Sequence, residues 1–233
     1  MFNQSLSMDK EIQIYRMDRI QYFRQFMDTP EHTYSRFMLL HIIPDTFLDP
    51  SYKKNLYVMN RKREIYIRDL FEGAYCTDGL IPAVDGLRFV SHQNNREGRL
   101  FNNGIAEVFY PLHTLLNGLE RYPSGRLAFL SLRDTIMQVV DKYLERMNNA
   151  IETSRVFVCV SIIGCLGVVT EDEFDADFRG VIDRNELICD PVCIEDYSND
   201  EVVEDAKREL LLSYYLALGI QRRKELAQLI EQM

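Results

Sequence analysis

The residues with the widest chemical range in this chain are few and far apart. His41 stands in the apolar run Leu39-Leu40-His41-Ile42-Ile43-Pro44, and Glu107 stands among large side chains between Ile105 and Leu112. An imidazole and a carboxylate in contact can pass a proton near neutral pH, the basis of general acid–base chemistry. That pairing requires neighbouring strands, which spacing alone does not decide. Without it, a histidine in an apolar strand is a core residue with local partners. Asn103 precedes Gly104, and Asn-Gly favours a turn with positive φ, so Asn103 reads first as a turn residue. His41, Asn103 and Glu107 are the ligand-binding candidates. No catalytic residue is assigned, because no Ser, Cys or Lys lies in a nucleophile motif and no Gly-rich phosphate loop opens a helix.

Metal chemistry has little to work with. Cys189-Asp190-Pro191-Val192-Cys193 is the one close cysteine pair, and two thiolates are half a zinc site. The four histidines, His32, His41, His92 and His113, are scattered. The acidic stretch from Glu171 to Asp177 lacks the Gly and the closing Glu of a calcium loop. No metal and no cofactor is expected. A different chemistry is offered by Lys53, Lys54, Arg61, Lys62 and Arg63, with Tyr52, Tyr57 and Tyr66 interleaved, a pattern that can follow a nucleic-acid backbone.

Charge argues against that use. The chain carries a net charge of −9, and from Glu171 onward 17 acidic residues face 7 basic ones, so the acidity belongs to the C-terminal quarter. Such a surface repels phosphates. Five cysteines are an odd number, and the first residues mix acidic and basic side chains with no apolar run of signal-peptide length. No stretch reaches the roughly 20 apolar residues that span a bilayer. The expectation is a cytoplasmic chain with reduced thiols and no membrane partner.

These groups must be positioned by elements legible in the pattern. Ile12, Tyr15, Ile20, Phe23 and Phe26 recur at helical spacing over 9–28, with Arg16, Arg19 and Arg24 between them, and Thr29-Pro30 ends the helix. The spacing predicts strands near 35–43, 84–92, 99–110 and 155–169, the last apolar on both faces and therefore central. Helices are predicted over 126–151 and 200–218, the latter capped at Ser198-Asn199-Asp200 and stopped at Gly219. With 233 residues and 46% hydrophobic side chains, one domain spanning 1–233 with a helical end over 200–233 is expected. The class is α/β, with α+β as a variant, built on a mixed or mostly antiparallel sheet with helices packed on it.

The segments MDRIQYFRQF, YSRFMLLHIIP, VDGLRFVS, GRLFNNGIAEVF and ELLLSYYLALGI occur in an order that resembles the region following the Schlafen-related, Alba-like DNA-binding domain of bacterial proteins labelled ATP-binding or regulators. His41, Pro44, Phe101, Asn103, Gly104, Glu107, Ala217 and Gly219 carry the match. The Schlafen-related domain itself is absent from this sequence, so its nucleic-acid role does not carry over. The resemblance implies a companion region of a bacterial regulatory or defence-type protein. The leading expectation is a non-enzymatic sensor or interaction module, binding a protein partner, a further copy of itself or a small ligand. A nucleic-acid-associated regulator using residues 53–68 is the alternative, and an enzyme ranks third.

Overall fold

The computed structural model describes residues 2–27, 36–62, 67–74, 76–91, 96–112, 126–127, 129–147, 155–171 and 179–219. Three strands form the centre of the fold: β1 (Phe37–Pro44), β5 (Ala106–Pro111) and β7 (Val156–Ile163), every residue of which is buried. Strand β1 lies between the other two and pairs antiparallel with both. Runs of apolar residues without alternation do this because a strand covered on both faces has no polar side. The sheet continues from β5 through β4 (Arg96–Phe101), β3 (Gly86–Ser91) and β2 (Gly79–Ala83). Beyond β7 it is closed by β10 (Glu186–Ile188) and β11 (Val192–Ile194), giving eight strands, all antiparallel. The class and the mostly antiparallel sheet agree with the sequence.

Helices cover the two faces. Helix α1 (Phe2–Met27) lies on one, with Ile12, Ile20 and Phe23 against Phe37, Leu39, Ile43, Phe109, Phe157 and Ile163. Helices α3 (Phe129–Met147) and α4 (Asp200–Ala217) lie on the other, where Ile136, Val140, Tyr143, Leu210 and Tyr214 join Met38, Leu40, Ile42, Val108 and Val160 in the main core. Asn199 caps α4 by accepting from the Glu201 amide at 3.0 Å. The short α2 (Leu56–Arg61) joins this core through Leu56 and Met59, so it packs opposite α1.

Two differences from the sequence reading have physical causes. The strand expected over 155–169 stops at Ile163, because Gly164 turns with φ of 77°. The next strand, β8 (Val169–Glu171), joins β6 (Arg126–Leu127) and β9 (Arg179–Val181) in a separate three-stranded sheet. The helix expected over 126–151 begins at Phe129, because Arg126 and Leu127 pair with Val169 and Thr170 as β6. The turn read at Asn103-Gly104 within 99–110 is present between β4 and β5, where the Gly104 amide donates to Phe101 O and Gly104 takes φ of 87°. The part of the helical end beyond Gly219 and the acidic stretch from Asp172 to Asp177 lie outside the described residues.

The central position of β7 is testable. Val160 is 0% exposed, faces the main core and pairs with Leu40. Val160→Asp buries an unpaired charge at a cost of several (about 3–5) kcal/mol. Circular dichroism should show loss of the cooperative thermal transition; a variant melting like the parent would contradict the placement.

Candidate binding site

The register of the central strands sets His41 directly opposite Glu107 on one side and Cys159 on the other. The acid–base juxtaposition that spacing leaves open is therefore present: His41 Nε2 and Glu107 Oε2 are 3.0 Å apart. Helix α1 supplies the third member. Arg19 donates from Nε and Nη2 to the two Glu107 oxygens at 2.6 and 2.7 Å, a two-pronged ion pair. A carboxylate can only accept, so the His41 Nε2 carries its proton and donates. Its Nδ1 then has no hydrogen-bond partner among the described residues, and the edge of Tyr15 packs on the ring at 5.6 Å.

Electrostatics follow from this arrangement. Burial pushes the Glu107 carboxyl up, but hydrogen bonds from Arg19 and His41 outweigh it and bring the group down to about 2. Burial holds the His41 imidazole below its ordinary value and outweighs the pull of Glu107. Glu107 is therefore ionised and His41 neutral near pH 7. Both are sealed, at 1% and 0% exposure, between α1 and the sheet. His41 and Glu107 join two neighbouring strands, and Arg19 ties the same carboxylate to helix α1.

Arg16, one turn earlier on α1, is the largest fully buried side chain among the described residues. It donates from Nε to Ser161 Oγ at 2.7 Å, from Nη1 to Cys189 O at 2.6 Å and from Nη2 to Val160 O. Burial lowers its pKa. Sequence periodicity assigns Arg16 to the polar side of the helix; the inward stripe is in fact Ile12, Arg16, Ile20 and Phe23, with a cation among apolar residues because three carbonyl or hydroxyl oxygens await it.

The same polar line runs outward across the sheet. Arg99 stands opposite Glu107 in the β4–β5 register, and Arg88 opposite Arg99 in the β3–β4 register. Arg88 donates from Nε and Nη2 to Glu97 Oε1 and Oε2 at 2.9 and 2.7 Å, and Arg99 Nε donates to that same Oε1. Tyr22 of α1 lies over both Arg19 and Arg99, with the guanidinium carbons 4.5 and 5.6 Å from its ring centre. Here the cover ends. In β3 and β4 one face is buried (Leu87, Phe89, Gly98, Leu100) and the other, with Arg88, Val90, Glu97, Arg99 and Phe101, is only half buried. Arg88 is 40% exposed, Tyr22 41% and the neighbouring Ile81 of edge strand β2 43%. This alternation is visible in the sequence of β3 and β4, but the meeting of Arg19, Arg88 and Arg99 depends on two registers and a helix position that it does not reveal.

The other candidates separate. Asn103 holds its turn together, donating from Nδ2 to Phe47 O at 3.2 Å and accepting from the Ile105 amide at 3.4 Å; it does not meet His41 or Glu107 in any hydrogen bond. Lys53, Arg61 and Lys62 are exposed and Lys54 half buried on or beside α2, while Arg63 lies outside the described residues. Because α2 packs on the opposite face, this basic segment and the Arg88–Arg99 surface are not continuous. Cys189 belongs to the main core and Cys193 to the α1 side, where Arg155 Nε donates to its sulfur at 3.3 Å, so the two thiols point to different faces. All five cysteines are unpaired, and among the described residues no three metal-ligating side chains converge. A cleft of about 510 Å³ beside α3, lined by Glu72, Gly73, Thr77, Gln138, Asp141 and Lys142, carries no group of the cluster. No helix among the described residues is long and apolar enough to cross a membrane.

Comparison with known proteins adds nothing to this geometry: no family model, no curated protein and no solved structure matches the chain.

Glu107→Gln leaves the half-buried Arg19 without its counter-charge and should cost about 2–3 kcal/mol in urea unfolding at pH 7. Since the folded carboxyl titrates below its ordinary value, its contribution is complete above about pH 4.5 and is lost as pH falls toward 2. The gap between parent and variant should therefore shrink steadily below pH 4.5. A gap constant from pH 7 to 3, or no gap at pH 7, would refute the pairing.

Proposed function

We propose that this chain is a non-enzymatic interaction module that engages a protein partner through the half-exposed face of β2, β3 and β4. The observation that carries the reading is the division of one polar cluster into two ends. Its acid–base end, His41 with Glu107, is sealed and saturated by Arg19. Its outer end, the half-buried Arg88 and Arg99 with Tyr22 of α1 and Ile81 beside them, lies at the half-exposed sheet face. Tyr and Arg are the residue types that concentrate binding energy at protein interfaces, whereas lysine, depleted there, is absent from β2, β3 and β4. A small ligand is favoured by a concave pocket rather than an open sheet face. The motif order that resembles the region downstream of a Schlafen-related domain supports a sensor or docking role within a bacterial regulatory or defence-type protein. The nucleic-acid alternative keeps the exposed Lys53, Arg61 and Lys62 with Tyr57, but works against a chain of net charge −9.

Site-specific photo-crosslinking in the native host tests the reading. A benzophenone side chain at Ile81 should yield a discrete crosslinked protein. The same group at the exposed Leu216 of α4, or at Val84 in the β2–β3 turn, should not. Equal labelling from all three positions, or none from Ile81, would count against a partner on this face.

A further inference from the structure

Resting on that reading, we infer that the face of β2–β4 docks an acidic segment of a partner polypeptide, whose carboxylates are taken by Arg99 and Arg88 beside the ring of Tyr22. Donors and acceptors on this face do not balance. Arg19 uses Nε and Nη2 on Glu107, and Arg88 uses Nε and Nη2 on Glu97. Arg99 must share Glu97 and reaches it through Nε alone. The Tyr22 side chain is its second hydrogen-bond partner, and no hydrogen bond from its two terminal nitrogens to a carboxylate is present among the described residues. Three guanidinium groups thus face two carboxylates, leaving one positive charge in excess on a chain whose total is −9.

The surroundings make that excess usable. Arg99 is 17% exposed and is held in place by Glu97 on one side and by the rings of Tyr22 and Phe23, 5.6 and 5.9 Å away, on the other. A guanidinium fixed in this way loses little freedom when it takes up a carboxylate, and its planar fork matches one. Ile81 and Val90 flank Arg88 and give apolar contact to the stem of an arriving side chain.

Charge also decides between occupants. A second copy placed here about a two-fold axis would set Arg88 and Arg99 against themselves. A nucleic acid brings a phosphate at every nucleotide, so it meets Glu97 and the repulsion of the whole chain with many more charges than the two arginines can take, whereas a short acidic segment brings few. Addition of a strand along β2 is hindered by Pro82, which lacks an amide proton on that edge, so docking is onto the face and not the edge. An acidic peptide meets the local excess, and its few side-chain carboxylates reach the terminal nitrogens of Arg99 and Arg88 that Glu97 does not take.

The test uses the full chain and fluorescein-labelled oligo-glutamate, with oligo-glutamine, oligo-lysine and a short DNA duplex as comparators, read by fluorescence anisotropy over a salt series. Oligo-glutamate should bind at low salt, weaken as salt rises, and lose roughly tenfold or more in affinity in Arg88→Gln/Arg99→Gln, in keeping with loss of charged hydrogen bonds. Arg61→Gln/Lys62→Gln, on the opposite face, should bind like the parent. Amide shifts on adding the peptide to the unaltered protein should centre on β3 and β4, which keeps the test independent of how the variants fold. No oligo-glutamate binding, binding lost only with Arg61 and Lys62, or DNA bound more tightly through the same arginines would each overturn the inference. Crosslinks from position 81 without oligo-glutamate affinity would remove the acidic partner and leave the interaction module; absence of both would remove the two together.

Discussion

The Glu107 carboxylate is the point on which the α1 side of this molecule turns. It is buried on a central strand, where an ionised group is tolerated only with full compensation. The compensation comes from two directions, the neutral ring of His41 on the adjacent strand and the guanidinium of Arg19 on the helix above. Those bonds fix the rotation and axial position of α1, since a helix displaced by one residue would carry Arg19 away from its partner. Arg16, one turn along, meets Ser161 and the Val160 and Cys189 carbonyls only at that same setting. Two polar residues on one helix, each with its own acceptors on the sheet, give the contact a specificity that Ile12, Ile20 and Phe23 would not give by apolar packing alone.

The setting of α1 has a second consequence, on the sheet rather than the helix. Because α1 covers β7, β1 and β5, those strands are buried throughout, while β3 and β4 keep one half-exposed face. The boundary falls at Tyr22, which closes over Arg19 and Arg99 together. Structure and surface chemistry are therefore continuous: the ion pair that fastens the helix is the inner end of the line of charges that the open face presents.

Much of the fold can be read from the chain because the dominant signals are local. The unbroken apolar runs of β1 and β7, the Asn103-Gly104 turn and the Asn199 cap each follow from side-chain type and neighbour spacing. The strand end at Gly164 is less legible, since apolar composition continues past it and only the backbone conformation marks the stop. The site divides along the same line. His41 and Glu107 stand out as polar residues in apolar strands, and the register joins them. Arg16 and Arg19 are hidden, because a charged residue on a helix reads as solvent-facing until its acceptors, more than 80 residues distant, are known. Arg88 and Arg99 lie on visible polar positions of alternating strands, yet their convergence needs three-dimensional registers that periodicity does not carry.

The central claim, that Arg19 and Glu107 act as one unit holding α1 to the sheet, is most directly tested by a double-mutant cycle of Arg19→Met and Glu107→Gln, with stability from urea unfolding at pH 7. A coupling energy of about 2 kcal/mol or more is expected, the double variant being clearly less destabilised than the sum of the single ones. Effects that add to within about 0.5 kcal/mol would show that the two side chains act independently and would contradict the account.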